Sequence, residues 1–216
     1  MKLYEFAPTR SIRARWTLQE LDVAFEPITV DLRAGENRQP EFLAINPAGK
    51  LPVLVDGDRV ITESVAIVLY LAEKYPERRL FPVDPGARAE GFRWLLFVTT
   101  ELEQPLWRIA RNSNIYPEQQ RQPSDVEIAR REFRDMAAVL EHHMQGRTFV
   151  VGDRVTVVDF VTAYTLDWAN EVGLLDQTPR LRAYLDSMYA RPNAAPRIAQ
   201  AFASLDRGRA SAATAG

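Results

Sequence analysis

Lys50-Leu51-Pro52-Val53-Leu54-Val55-Asp56-Gly57-Asp58-Arg59-Val60-Ile61-Thr62-Glu63-Ser64 is the stretch on which the fold turns. Val53 to Val55 form a short apolar run, and Asp56-Gly57 is a strong hairpin signal because glycine tolerates positive φ. Pro52 stands at the opening of the first strand, where its missing N–H costs no ladder bond. A second strand follows, and Thr62 or Glu63 then opens an apolar helical run from Val65 to Ala72. The hairpin therefore delivers Glu63 and Ser64 to a helix N-terminus, whose free N–H groups attract an anion. An ordinary hairpin leading to a capped helix fits the same residues.

Outward from that hairpin, the chain of 216 residues has room for one large domain or two small ones. An apolar content of 46% supplies a core, and a net charge of −2 offers no general attraction to nucleic acid or acidic membranes. No apolar run approaches the roughly 20 residues of a membrane span, and the first residues lack a signal-peptide core, so a soluble cytoplasmic protein is expected. Cysteine is absent, which excludes disulfides, thiolate metal sites and a cysteine nucleophile. The two histidines, His142 and His143, are neighbours on one helical segment and point in different directions, so no metal site is expected.

Taken in order, residues 2–6 alternate as a first strand, residues 10–21 have helical spacing, and residues 23–30 form a second strand in which Pro27 marks an edge. Residues 38–45 read as a short irregular helix. Strand, helix, strand implies a parallel pair with a right-handed crossover. Three prolines and a glycine between Pro76 and Gly86 mark a linker, placed at 77–86. Beyond it only helices are expected, near 87–114 (kinked or broken at Pro105), 123–145, 156–171, 178–190 and 194–204. The expected domains are 1–76, α/β, and 87–209, all helical, with 210–216 a frayed tail of small residues. Thr156-Val157-Val158-Asp159 has the form of a capping box, and Val155 and Phe160 have the spacing of a hydrophobic staple.

Pro8-Thr9-Arg10-Ser11-Ile12-Arg13 after the first strand, Asn46-Pro47-Ala48-Gly49-Lys50-Leu51-Pro52, Glu63-Ser64, and Val151-Gly152-Asp153 before the capped helix resemble the cytosolic glutathione S-transferase family. The similarity covers nearly the whole chain. It implies a thioredoxin-like α/β N-terminal domain, an all-α C-terminal domain, a homodimer, and glutathione as co-substrate without a metal. Leu51 would meet the cysteinyl unit of glutathione through its backbone, beside a cis Pro52. Glu63 and Ser64 would receive the γ-glutamyl end, and Lys50 and Gln39 would lie near the glycine end.

Family members activate the thiol with a Tyr, Ser or Cys near the first strand–helix junction, and no cysteine exists here. Thr9, with Arg13 four residues on, resembles the serine/threonine type; Ser11 is the alternative and Tyr4 a distant third. Thr9 also stands where an N-cap is expected. Arg10 would add positive potential. Trp107, Arg108, Arg111 and Tyr116 are candidates for an electrophile pocket between the domains, with Trp107 and Arg111 on one helical face. A glutathione-dependent isomerase, dehalogenase or peroxidase on the same site, and a non-catalytic binding or regulatory module, are the competing expectations.

Overall fold

The structure is a computed structural model and describes residues 1–214, with the side chains of 206 and 208–214 left out. Two units emerge, one of Met1–Leu80 together with the chain from Tyr189 onward, the other Phe81–Met188.

The first unit is built on a four-stranded sheet in the order β2-β1-β3-β4, from β1 (Lys2–Glu5), β2 (Glu26–Thr29), β3 (Val53–Asp56) and β4 (Arg59–Thr62). β1 and β2 are parallel, with Tyr4 opposite Ile28, and α1 (Ser11–Leu21) makes the crossover between them. β2 is an edge strand, so the absent N–H of Pro27 can face away from β1. Alternation along β1 sends Leu3 to a face packed with fully buried residues such as Trp16 and Leu18 of α1 and Ile67 and Leu71 of α3 (Ser64–Lys74). Tyr4 packs instead against Val30, Val53 and Phe42, the last from α2 (Pro40–Ile45).

The hairpin forms one residue later than expected. Asp56 still pairs with Arg59 in the ladder, leaving Gly57-Asp58 as the turn, with Gly57 at φ 59°. Asp56 is held in the strand because its carboxylate accepts the Tyr70 hydroxyl at 2.5 Å and an ion pair from Lys74, both on α3. These bonds, the Lys74 one foremost, keep its pKa below the usual carboxylate range. Two X–Pro bonds are cis, Leu51-Pro52 as expected and also Ala7-Pro8.

The expected linker is partly ordered: Pro76–Arg78 is a 3-10 turn, and α4 (Pro85–Phe97) starts under an Asp84 cap whose carboxylate accepts the Ala87 N–H at 2.9 Å. α4 continues through a π turn at Val98–Leu102 into α5 (Glu103–Ala110), and a second π turn follows at Arg111–Ile115. Pro105 therefore neither breaks nor ends the helix. It has no N–H to offer the Glu101 carbonyl and its ring crowds that carbonyl, and the wider turn just before it accommodates both. The second unit is completed by α6 (Pro123–His143), α7 (Val157–Glu171) and α8 (Pro179–Tyr189).

Gly91 lies inside α4, where alanine would gain about 1 kcal/mol of helix propensity. A Cβ there would stand 2.7 Å from the buried Phe81 ring, too close without displacing it. Overpacking of this kind costs about 1–3 kcal/mol. Gly91→Ala should therefore lower the urea midpoint, whereas a raised midpoint would mean that the ring yields freely.

The C-terminal segment belongs with the first unit rather than with the helical domain expected to reach 209. Arg191 makes a bidentate ion pair with Glu20 at 2.8 and 2.9 Å, and the Tyr189 ring lies 4.8 Å from Trp16. α9 (Ile198–Thr214) then runs through most of the expected tail, and residues 215 and 216 lie outside the described residues.

Candidate functional site

Two hydroxyls and one residue's backbone close a hydrogen-bonded ring at the end of β1. The Phe6 N–H donates to Ser11 Oγ at 3.2 Å, and the Thr9 hydroxyl donates to the Phe6 carbonyl at 2.5 Å. Thr9 and Ser11 meet oxygen to oxygen at 2.8 Å. A hydroxyl has one hydrogen, and that of Thr9 is spent on Phe6, so Ser11 is the donor between the two. The Ser11 N–H adds a longer bond to Thr9 Oγ1 at 3.3 Å. Ser11 is 1% exposed while Thr9 is half-buried, so Thr9 is the hydroxyl that an incoming group meets more readily.

Thr9 is not the N-cap of α1. Arg10 occupies that position, half-buried and without a side-chain capping bond, because the ring pulls the Thr9 hydroxyl back toward β1. Tyr4 is spent on packing: its ring lies 6.1 Å from Phe42.

The hairpin brings Leu51, Pro52, Glu63 and Ser64 to the ends of β3, β4 and α3. Leu51 is half-buried before the cis bond, and Pro52 is buried. Glu63 is the N-terminal cap of α3, exposed, with φ 65° and ψ 117°. A non-glycine residue there stores about 1–3 kcal/mol of strain, a feature that clusters at ligand clamps. Ser64 is 5% exposed and opens α3, beside the free N–H groups of its first turn.

One residue of this site escaped sequence reasoning as a site residue. Arg13, 1% exposed on α1, donates from Nη1 to Ser64 Oγ at 3.1 Å. A guanidinium only donates, so the Ser64 hydroxyl must turn its own hydrogen elsewhere. A buried cation and a polarised hydroxyl thus converge on one helix N-terminus, an arrangement suited to a carboxylate. The only signal in the sequence was the spacing of Arg13 from Thr9. Lys50 and Gln39 are both exposed, on segments tied together where Asn37 Nδ2 donates to the Gly49 carbonyl at 2.8 Å.

The four pocket candidates of the second unit divide. Arg108 is drawn into a network with Asp125, Glu132 and the neighbourhood of Asn112, which raises its pKa and commits its charge to joining α5 and α6. It is not available to a ligand as expected, because its carboxylate partners come from a helix whose packing the sequence did not reveal. Arg111 instead lies over aromatic faces, 6.0 Å from the centroid of Trp107 and 5.8 Å from that of Tyr116. Trp107 also meets Trp168 edge-on at 6.3 Å.

Comparison with known proteins identifies the family. The family model for the glutathione S-transferase N-terminal domain matches residues 1–73, and that for the C-terminal domain matches residues 96–192. Glutathione S-transferase F10 of Arabidopsis thaliana is 34% identical over 202 residues, 88% of this chain and 94% of the relative. Glutathione S-transferase GST-4.5 of Xanthomonas campestris is 32% identical over 196 residues, 88% of this chain and 93% of the relative. Among solved structures, a glutathione transferase family member from Pseudomonas fluorescens, crystallised with two glutathione bound, has a TM-score of 0.80 at 25% identity, covering 89% of each chain. On the strength of both domain matches and of relatives above 30% identity along most of its length, the chain belongs to the glutathione S-transferase family.

Proposed function

We propose that this transferase holds glutathione along the hairpin and lowers the pKa of its thiol with the Thr9 hydroxyl. The observation that carries the binding half is the Arg13–Ser64 contact at the start of α3. There the γ-glutamyl carboxylate accepts the Ser64 O–H and N–H, while the backbone of Leu51 meets the cysteinyl unit. Glu63 answers the γ-glutamyl ammonium, and Lys50, with Gln39, answers the glycine carboxylate. The cocrystal of the Pseudomonas fluorescens relative with glutathione supports this choice of ligand.

A free cysteine thiol has a pKa of about 8.5, so little of it is thiolate at neutral pH. Lowering it by about two pH units takes roughly 2.7 kcal/mol of differential stabilisation. A hydroxyl donating to an ionised partner supplies about 1.5–3 kcal/mol, and the N-terminus of α1 adds part of the remainder. Thr9 makes that bond by transferring its hydrogen from the Phe6 carbonyl to the sulfur. The Ser11 hydroxyl goes on donating to Thr9 Oγ1, and so polarises it further. Arg10 adds positive potential at the same helix end. The thiolate sulfur then forms a bond to an electrophilic carbon, and the leaving group departs with its bonding pair. Trp107, Arg111 and Tyr116 are assigned to the electrophile, and two copies of the chain to a homodimer.

Thr9→Ala should raise the thiol pKa of bound glutathione by about one pH unit or more, read from thiolate absorbance against pH. Ser11→Ala should raise it by less than half as much, since it removes only the second donor in the series. The reverse order would transfer the thiol contact to Ser11, and no shift in either would remove the hydroxyls from the mechanism.

A further inference from the structure

The cluster of Trp107, Arg111 and Tyr116 lies wholly within the second unit, where the π turn at Arg111–Ile115 follows α5. Wider turns of this kind recur at functional sites. Two neighbours in the turn have different fates. Asn112, 8% exposed, is committed inward: its amide donates to the Arg108 carbonyl at 3.1 Å and to Asp125 at 2.9 Å, and accepts the Gln122 N–H at 3.1 Å. Arg111 is half-buried, and its guanidinium makes no hydrogen bond or ion pair among the described residues.

Asp125 feels the Arg111 charge, but both of its oxygens are held by Arg108 and one also by Asn112. Arg111 is instead placed over the rings of Trp107 and Tyr116. Ring contacts take up the faces of a guanidinium and leave the N–H groups in its plane for an acceptor. Nε is buried, so Nη1 and Nη2 are the pair that a ligand meets, end-on. A carboxylate fits that pair with two parallel hydrogen bonds, and the adjoining rings exclude water from one side of it. Trp107, Tyr116 and Trp168 are themselves half-buried, so apolar ring surface stays open beside the charge. A flat apolar surface next to one unpaired cation suits a flat apolar ligand with one anionic group.

We propose that this cluster selects aromatic carboxylates as the electrophile, the carboxylate pairing end-on with Arg111 and the ring packing beside Trp107. The inference rests on the assignment of the cluster to the electrophile and gives that substrate its chemical class. With 4-chloro-3,5-dinitrobenzoate, the thiolate sulfur bonds to the ring carbon bearing chlorine, and chloride leaves with the bonding pair.

Binding is tested with 2-naphthoate and 2-naphthamide, which are unreactive, share size and shape, and differ in charge. In calorimetric titrations of the full chain without glutathione, 2-naphthoate should bind with a Kd on the order of a millimolar or below. The amide should bind about tenfold more weakly. Arg111→Gln should bring the two within about twofold of each other, and Arg111→Lys, which keeps the charge but loses the fork, should retain about a threefold preference for the acid. The ratio of two probes within one variant is independent of how much of that variant is folded. In turnover at saturating glutathione, 4-chloro-3,5-dinitrobenzoate should exceed its carboxamide about tenfold in kcat/KM, each divided by its uncatalysed rate, with most of the difference in KM. Absence of 2-naphthoate binding, equal binding of both probes by the parent chain, an acid preference that survives in Arg111→Gln, or a preference in binding with none in turnover would each overturn the proposal. The titrations contain no glutathione, so failure of this site and failure of the glutathione clamp are read separately.

Discussion

Asp159→Ala is expected to lower the free energy of unfolding by about 2–3 kcal/mol at pH 5 and by only about 1 kcal/mol at pH 8. Asp159 is fully buried at the start of α7, where it forms the capping box with Thr156. Its carboxylate accepts the Val150 N–H at 2.9 Å, the Thr156 N–H at 2.8 Å, the Thr156 hydroxyl at 3.0 Å and the Tyr184 hydroxyl at 2.8 Å. After truncation the two hydroxyls can turn to other partners, but the two backbone N–H groups cannot. Leaving both unpaired costs about 4 kcal/mol when the carboxyl they replace is neutral.

The pH dependence follows from burial, which outweighs the four donors and pushes the Asp159 pKa up to about 6. In the unfolded chain it titrates near 4, as an ordinary aspartate does, at about 3.9. Between those values the folded protein keeps a proton that the unfolded chain has released, so the stability contributed by Asp159 falls as pH rises through that window. The whole window is worth roughly 3 kcal/mol, and about half of it lies above pH 5. Urea unfolding of parent and variant at both pH values gives the difference directly. A deficit that grows from pH 5 to pH 8 would mean that Asp159 is ionised more readily in the folded protein than in the unfolded chain.

Arg13→Met should raise the Kd for glutathione about thirtyfold, while changing kcat at saturating glutathione about twofold or less. The side chains are similar in length, so α1 keeps its packing, but two electrostatic contributions vanish together. The buried cation no longer faces the carboxylate at the start of α3, and Ser64 Oγ loses the donor that fixes its rotation. A charged hydrogen bond of this kind is worth about 1.5–3 kcal/mol, which sets the expected factor. Equilibrium titration for Kd and initial rates for kcat separate the two effects. An unchanged Kd would place the γ-glutamyl carboxylate elsewhere, and a collapsed kcat would place Arg13 at the thiol.

Features written in neighbouring residues were legible from the sequence. The capping box spans only four residues, and its geometry follows from local bonding between Thr156 and Asp159. The parallel pair, the edge position of Pro27 and the entry of the hairpin into α3 follow likewise from short-range signals. What depended on distant partners was not legible. The turn moved by one residue because Tyr70 and Lys74, 14 and 18 positions on, hold Asp56 in the strand. Arg108 left the electrophile candidates because Asp125 and Glu132 meet it from α6. Arg13 joined the glutathione candidates through a contact across 51 positions. Thr9, expected as a cap, turned back to β1, where its hydroxyl donates to the Phe6 carbonyl.

Isothermal titration of the parent chain with reduced glutathione tests the central claim most directly. One glutathione should bind per chain with a Kd below about 1 mM, and Ser64→Ala should weaken it about tenfold by removing the hydroxyl donor to the carboxylate. No heat of binding from the parent chain at millimolar glutathione would contradict the clamp, and every step of thiol activation with it.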